Sequence, residues 1–468
     1  MFAEITIERI VDYILFFSCL FILFGSLFIS FKMRFVQLRL FPTLFKMLTA
    51  SVLKSNQKEG AYTILPYRAL FTAMSTTIGI GTIVGPVIAI HWGGPGALLG
   101  FLLTAFLGSA ATYTEVNLCI RFRKKLENGQ IQGGPMQYLQ AILSPAAAKW
   151  YALIGCLLMT AWSAAQANQL AAILDSPLLG DYRIPTVFSG AFISLLVLVT
   201  LMGGIKRVSS LSSKLVPLMF TLYIGSSLWI IGANIDQFGA ICQTIVSSAF
   251  QPYAMATGAL VGGFISSMRW GVFKGTQATE AGVGTQTIPH SMAETKDSVA
   301  QGTLAMLSTY TSGLISFISG CVALMTETWQ DPELPLGISM VAASFKQYFS
   351  HYGVTIVAIS TFLFAFGTIL GNSYNGSQCL GYLTGNKSIR LYYIVTACVI
   401  FIGTISGVKT VWSVIDIGLA FLVIPHMSAL VRYVSKRSGE ILGVSSPSVE
   451  ENAPVRPAYL AEETAINT

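Results

Sequence analysis

The sequence predicts an all-α polytopic membrane protein with about eleven transmembrane helices, and three observations predict it. Apolar residues make up 53% of the 468 positions and charged residues only 10%, whereas soluble domains carry roughly a quarter charged residues. Runs of about 20 apolar residues recur along the chain, the length that crosses a hydrocarbon core about 30 Å thick. Two of these runs are interrupted by glycine. The first reads Thr76-Thr77-Ile78-Gly79-Ile80-Gly81-Thr82-Ile83-Val84-Gly85, and the second runs from Gly271 to Gly284 with Lys274, Gly275, Thr276, Gln277, Thr279, Glu280 and Gly282 inside it. Lipid offers no hydrogen-bond partner to a peptide group, so a broken helix at membrane depth needs protein or a polar cavity around it. Paired breaks at corresponding places in two repeats point to the binding site of a carrier. A membrane β-barrel would show short alternating segments instead.

The apolar stretches fall at 13–30, 68–92, 95–118, 150–172, 186–203, 215–233, 254–288, 301–326, 353–382, 391–408 and 411–432. The first is too long for a secretory signal, and Glu4, Glu8 and Asp12 spoil a basic leader. Set aside as an extra helix, it belongs with a basic loop to an N-terminal segment, 1–67. The other ten divide into 68–233 and 254–432, five spans each. Five is odd, so the two halves sit in the membrane with opposite orientation, and each opens on its glycine-broken helix, as inverted repeats do. Gly93-Gly94-Pro95 and Gly133-Gly134-Pro135 read as tight turns or re-entrant elements, because proline fixes one backbone angle while glycine accepts strained ones. The end of the chain, 440–468, is rich in Ser, Pro, Glu and Ala and reads as a disordered cytoplasmic tail.

The net charge of +7 reports orientation. With the N-terminus outside, the inner loops collect Lys32, Arg34, Arg39, Lys46, Lys54, Lys58, Arg68, Arg121, Arg123, Lys124 and Lys125. Lys206, Arg207, Lys214, Lys387, Arg390, Arg432, Lys436 and Arg437 join them, and the outer loops keep only Arg9, Arg183, Lys346 and Lys409. That asymmetry assigns N-outside and C-inside in a cell (inner) membrane. It leaves no soluble basic face for nucleic acid. The seven cysteines lack the paired spacing of a disulfide framework or a metal site and read as small apolar filler.

Ionisable residues inside a span are costly and default to a functional hypothesis. Glu115, Glu280 and Asp416 qualify. Glu115 reads as an ion pair with Arg121 and Arg123 at the inner end of its span. Glu280, inside the second break, caps freed backbone amides, pairs with Lys274 or contributes charge near a cation; the first two are favoured, since a carboxylate only accepts. Asp416 reads as the N-terminal cap of the last helix. Trp162, Gln166 and Gln169 share one helix face. The Gln166 amide suits a zwitterionic ligand, whereas Asn168 points elsewhere and reads as helix-to-helix glue. In the ninth span Thr368 precedes Gly371-Asn372-Ser373-Tyr374-Asn375-Gly376, and hydroxyls there would complete a sodium cage with carbonyls freed by the first break. The four histidines are scattered without ligand spacing, which argues against an integral-membrane enzyme needing a nucleophile–base set or a metal cluster. A channel is the other rival, and saturable, counterflow-competent uptake separates it from a carrier.

At these residues the chain resembles the alanine/glycine–cation symporter family, also called the sodium–alanine symporters. The resemblance runs from 71 to 425 and rests on several stretches in order. They are Gly79-x-Gly81 with Ile83-Val84-Gly85, Ala89 and Gly93-Gly94-Pro95-Gly96-Ala97; then Gly133-Gly134-Pro135-Met136-x-Tyr138 and Gln166-Ala167-Asn168. Gly203-Gly204-Ile205-Lys206-Arg207, Lys214-Leu215-Val216-Pro217, Glu280-Ala281-Gly282-x-Gly284, Pro289-His290, Thr368-Ile369-Leu370-Gly371 and Ser373-Tyr374 complete the set. The resemblance implies a leucine-transporter-like fold of two inverted five-helix repeats, and uptake of a small neutral amino acid such as alanine or glycine coupled to sodium, or sometimes protons. It implies no other cofactor, and a monomer is expected. By matching position, Gly79, Gly81 and Gln166 would surround the amino acid, the backbone around Gly275 to Gly282 would complete that site, and Thr77, Gly79 and Thr368 would lie near the cation.

The chain departs from the family pattern at four places. Thr82 and Thr279 stand where the family usually has Asn, Asn372 where it has Trp, and Gly367 where a hydroxyl residue precedes Thr368. Together with Gly275, Thr276 and Glu280, residues Thr82, Thr279 and Asn372 are expected to shape the substrate pocket. An amide in place of an indole makes that pocket larger and more polar, which favours serine or glutamine as the alternative substrate. The missing hydroxyl removes one ligand for sodium.

Overall fold

The computed structural model describes residues 7–53, 59–60, 62–127, 129–250 and 263–441. Helices fill almost all of them. α1 (Ile7–Lys32) is one continuous apolar helix. Two short pieces follow, α2 (Val36–Arg39) and α3 (Phe41–Leu53), the second burying Leu44 while exposing Phe45 and Leu53. The first glycine-broken run is two helices, α4 (Pro66–Thr77) and α5 (Ile80–Gly93). Pro66 sits in the first turn of α4, where an N–H would have no helical partner anyway. Gly94 turns the chain at φ 76° into α6 (Ala97–Phe122).

A small antiparallel hairpin, β1 (Lys124–Lys125) with β2 (Ile131–Gln132), leads to Gly134 at φ 98° and the short α7 (Pro135–Ile142). Both Gly-Gly-Pro stretches are therefore tight turns. Ser144 caps α8 (Pro145–Leu174), its hydroxyl oxygen accepting the Ala147 amide at 3.2 Å. Next come α9 (Thr186–Leu201), α10 (Gly204–Ala233) and α11 (Ile235–Phe250).

In the second half, α12 (Gly263–Thr279) ends at the second break, and the one-turn α13 (Thr287–Ser291) resumes beyond it. Asp297 caps α14 (Ser298–Met325) through the Ala300 amide at 2.9 Å. The chain closes with α15 (Ile338–Phe349), α16 (His351–Thr384), α17 (Ile389–Ile405) and α18 (Val408–Ile441).

Among the described residues, six helical stretches are long and apolar enough to cross a membrane: Pro66–Gly93, Ala97–Phe122, Gly204–Ala233, Ser298–Met325, His351–Thr384 and Ile415–Ile441. Shorter apolar helices lie at Phe16–Lys32, Phe41–Leu53, Thr186–Leu201 and Ile389–Ile405. The packing is centred on α4, α5, α6, α8, α12, α14 and α16, with α16 against α8 and both α12 and α14 against α6. Small residues permit the closest crossing. A Cβ on Gly100 of α6 would meet the Cα of Gly271 of α12 at 2.9 Å, so the two backbones nearly touch. Outside this core, α9 and α17 expose Phe188, Phe192, Leu195, Leu391 and Ile402, an apolar periphery suited to lipid.

One expectation changes. Asp416 is no cap, because α18 starts at Val408 and places it more than two turns inside the helix. Positions 235–250 and 338–349, which fall between the apolar stretches, are also helices. The span 254–288 is interrupted where the glycine break was expected, and its first nine positions, like Lys54, Lys58 and 442–468, lie outside the described residues.

Candidate functional site

The first break is brief. α4 ends at Thr77, Ile78 and Gly79 leave the helix, and α5 restarts at Ile80. The extended Gly79 turns the free amides of α5 towards α8, where Gln166 Oε1 accepts the Ile80 N–H at 2.9 Å. A Cβ on Gly79 would meet Thr368 Oγ1 at 2.6 Å and Gln166 Oε1 at 2.9 Å, so only hydrogen fits between α8 and α16. Gly81 faces open space instead, with nothing within 4 Å of such an atom.

The second break is built on strain and then pinned. Glu280 lies at φ 50°, Gly282 at 76° and Gly284 at 92°. A left-handed conformation is uncommon for a glutamate and persists only where surroundings over-determine it. They do so here. Thr285 Oγ1 donates to the Glu280 carboxylate. Gln286 Nε2 donates to the Thr279 carbonyl at 2.9 Å, and Ser312 Oγ to that of Ala278 at 2.5 Å. Beyond the turn, Tyr151 Oη donates to the Val283 carbonyl at 2.8 Å and Asn375 Nδ2 to that of Thr285 at 3.2 Å. His426 Nδ1 contacts the Gly282 carbonyl at 2.7 Å, and since a carbonyl only accepts, that nitrogen carries the proton. Its Nε2 then accepts from Tyr138 Oη at 2.5 Å.

The two breaks meet at one cavity of about 20 Å³, lined by Thr76, Thr77, Gly79, Gly81, Trp162, Gln166, Gln277, Glu280, Thr368 and Asn372. Seven expected positions are brought together there: Thr77, Gly79, Gly81, Gln166, Glu280, Thr368 and Asn372. Thr82, Gly275, Thr276 and Thr279 stand behind the wall. Thr82 Oγ1 donates to the Thr77 carbonyl at 3.4 Å, while Thr276 and Thr279 donate one helical turn back to Val272 and Gly275, each at 2.9 Å. Gly275 lets α12 approach α6, since a Cβ there would meet Thr104 at 3.1 Å. Thr76 and Gln277, named within the broken runs but not as site residues, join the lining. Gln277 lies in the last turn of α12, just before the break at Glu280, and that position was the available signal.

The hydroxyls near the first break donate to backbone carbonyls. Thr368 Oγ1 donates to the Ser75 carbonyl and Thr77 Oγ1 to that of Ala73, both at 3.0 Å. With their protons on carbonyls, both oxygens keep lone pairs free to accept. Gly367 fits too, because a Cβ there would meet Ser75 Oγ at 2.5 Å.

The buried carboxylates are not paired as expected. Lys274 Nζ donates to Gln277 Oε1 at 3.1 Å rather than to Glu280, and Gln277 Nε2 donates to Asp416 Oδ1 at 2.5 Å. Glu115 does not reach Arg121 or Arg123. Six residues carry a helix about 9 Å along its axis, and both arginines turn to other partners. Arg121 donates to Ser298 Oγ and the Glu440 carbonyl, and Arg123 clamps the Ser291 and Ala293 carbonyls at 2.7 Å each. Glu115 instead lies 3.8 Å from His426 Nε2, fully buried beside the second break. Asn168 is interhelical glue, donating to the carbonyls of Gly403 and Ser406 at 2.8 and 2.9 Å.

A structure of similar architecture is the substrate-bound, outward-open state of a sodium-coupled sialic acid symporter. It has a TM-score of 0.51 and 16% identity over 78% of this chain and 80% of that one, a likeness of fold. The architecture is thus that of leucine-transporter-like carriers. Among sequences, the sodium/alanine symporter AgcS of Methanococcus maripaludis is 32% identical over 415 residues, 87% of this chain and 89% of AgcS. The probable sodium/glutamine symporter GlnT of Bacillus subtilis is 27% identical over 412 residues, 86% and 83% of the two chains. The family model described as the sodium:alanine symporter family matches residues 2–440. These relatives are multi-pass membrane transporters and not enzymes, and the chain belongs to the sodium:alanine symporter family.

Proposed function

We propose that the chain is a secondary active transporter that couples entry of a neutral amino acid to a cation, sodium in preference to protons, by alternating access. The observation that carries this reading is the meeting of both helix breaks at one cavity, with Gln166 at the free end of α5 and Thr368 across from it. The amino acid's carboxylate faces the α5 amides, where the helix dipole favours an anion. Its ammonium faces Glu280 and carbonyls freed by the breaks. A cation held by Thr77, Gly79 and Thr368 favours the substrate-ready arrangement, and that coupling is reciprocal. A cavity of about 20 Å³ holds an ion or one small polar group. A whole amino acid therefore enters only in a conformation with the walls apart.

The reading includes two inverted repeats, 68–233 and 254–432, a single functional protomer, and a cell membrane crossed with the N-terminus outside and the C-terminus inside. Alanine or glycine is its small-substrate form. A second form, a more polar neutral amino acid such as serine or glutamine, is favoured by the buried Asn372 amide on the cavity wall. Uptake of labelled alanine and labelled glutamine into proteoliposomes, with an inward sodium gradient, an inward proton gradient or neither, tests the proposal. Saturable accumulation under the sodium gradient supports it, whereas uptake indifferent to either gradient rejects symport.

A further inference from the structure

Two amides on the cavity wall have a placement that cation coupling does not require. Asn372 on α16 is 1% exposed and lines the cavity, yet its Oδ1 accepts no hydrogen bond among the described residues. A buried polar group without a partner is unfavourable unless something supplies one, and the cavity is where a partner can stand. Gln277 on α12 faces the same space with its amide fixed end for end. Lys274 Nζ donates to its oxygen at 3.1 Å, and Asp416 Oδ1 accepts from its nitrogen at 2.5 Å. Each interaction uses half of what its atom offers, since an amide nitrogen has two protons and an amide oxygen two lone pairs. One N–H and one lone pair of Gln277 remain.

We propose that Asn372 and Gln277 form a subsite for a substrate side chain ending in a carboxamide, as in L-glutamine. A carboxamide carries both a donor and an acceptor, the complement of what the two wall amides leave unpaired. Its NH2 donates to Asn372 Oδ1, and its carbonyl accepts from the remaining Gln277 N–H or from Asn372 Nδ2. A carboxylate side chain offers acceptors only and would face Glu280 on the same wall with Asp416 behind Gln277. An aliphatic side chain of equal length would leave both amides unpaired, the situation in which polar sites reject analogues most strongly. A methyl group leaves the subsite unfilled. The subsite rests on the amino-acid reading above and narrows it to one class of side chain.

Direct binding tests it on the purified full-length protein in sodium chloride, using tritiated L-glutamine and tritiated L-alanine, with unlabelled L-glutamate and L-norleucine as competitors. Glutamine is expected to bind at least tenfold more tightly than alanine, and both competitors to displace it at least tenfold more weakly than unlabelled glutamine. Asn372→Leu should lower the ratio of glutamine to alanine affinity at least tenfold, with the milder Asn372→Ser lowering it less. Elution volume on size exclusion verifies that each variant is folded, and the wild-type panel stands whatever the variants do. Alanine binding as tightly as glutamine, or an unchanged ratio in both folded variants, overturns the subsite and leaves amino-acid symport standing. Binding of neither labelled amino acid overturns the subsite together with the reading it rests on.

Discussion

Gln166 Oε1 accepts the Ile80 amide at 2.9 Å across 86 positions of chain, so a side chain of α8 caps the free end of a half-helix in the membrane interior. That amide would otherwise point into the cavity unpaired. A substrate carboxylate seeks the same donors, because the end of α5 carries a partial positive charge. Gln166→Ala should reduce neutral amino-acid uptake at least tenfold while the protein still inserts and elutes as a folded species. Uptake within twofold of wild type would remove Gln166 from the site.

The two glycines of the first break should part company when replaced by alanine. A Cβ at Gly79 meets Thr368 Oγ1 at 2.6 Å and Gln166 Oε1 at 2.9 Å, whereas one at Gly81 meets nothing within 4 Å. Gly79→Ala is overpacked and should lose about 1–3 kcal/mol of stability. Gly81→Ala should melt as wild type does but place a methyl group in the substrate's space, cutting uptake at least tenfold. Thermal unfolding and uptake on the same preparations separate the two effects, and equal melting of both variants would contradict the geometry.

Thr368 carries the cation argument. Its hydroxyl proton is committed to the Ser75 carbonyl at 3.0 Å, leaving the oxygen lone pairs for an ion. Thr368→Ala should raise the sodium concentration for half-maximal uptake about tenfold, and Thr368→Ser should restore most of it. An unchanged sodium dependence in Thr368→Ala would place the ion elsewhere.

Gly367 and Ser75 are expected to be coupled. A Cβ at Gly367 meets Ser75 Oγ at 2.5 Å, so Gly367→Ser alone should be destabilised by about 1–3 kcal/mol. Adding Ser75→Gly should recover part of that loss, the signature of two residues sharing one space. Additive melting effects would show that they do not.

Glu280 holds a left-handed backbone at φ 50° while its carboxylate anchors Thr285. Glu280→Ala loses the anchor and keeps the strain; Glu280→Gly loses the anchor and relieves it. The glycine variant should therefore be the more stable of the two by about 1 kcal/mol, with transport impaired in both. Alanine matching glycine in thermal unfolding would show that the turn is unstrained.

Much of the fold was legible because the bilayer allows few solutions. Length and apolarity locate the long helices, and glycine among small hydroxyl residues marks both breaks, Gly79 and Gly282. The helices missed, α3, α11 and α15, are short with mixed faces, so no 20-residue apolar run announces them. Gln166 and Trp162 followed from their shared helix face, whereas Thr77, Gly79, Gly81 and Thr368 came from the family resemblance. What failed was pairing. Arg121 and Arg123 look like natural partners of Glu115 along the chain, but axial rise carries them past it to backbone carbonyls. Its actual neighbour, His426, comes from α18, and nothing local in the sequence records an approach between residues 311 positions apart.

The most direct test of the central claim is uptake into proteoliposomes with and without an inward sodium gradient, run with wild type and Gln166→Ala side by side. The account predicts that wild type accumulates labelled alanine or glutamine above equilibrium only with the gradient, and that the variant does not. Gradient-independent equilibration by wild type, or undiminished accumulation by Gln166→Ala, would contradict a cation-coupled carrier built on the junction of these two broken helices.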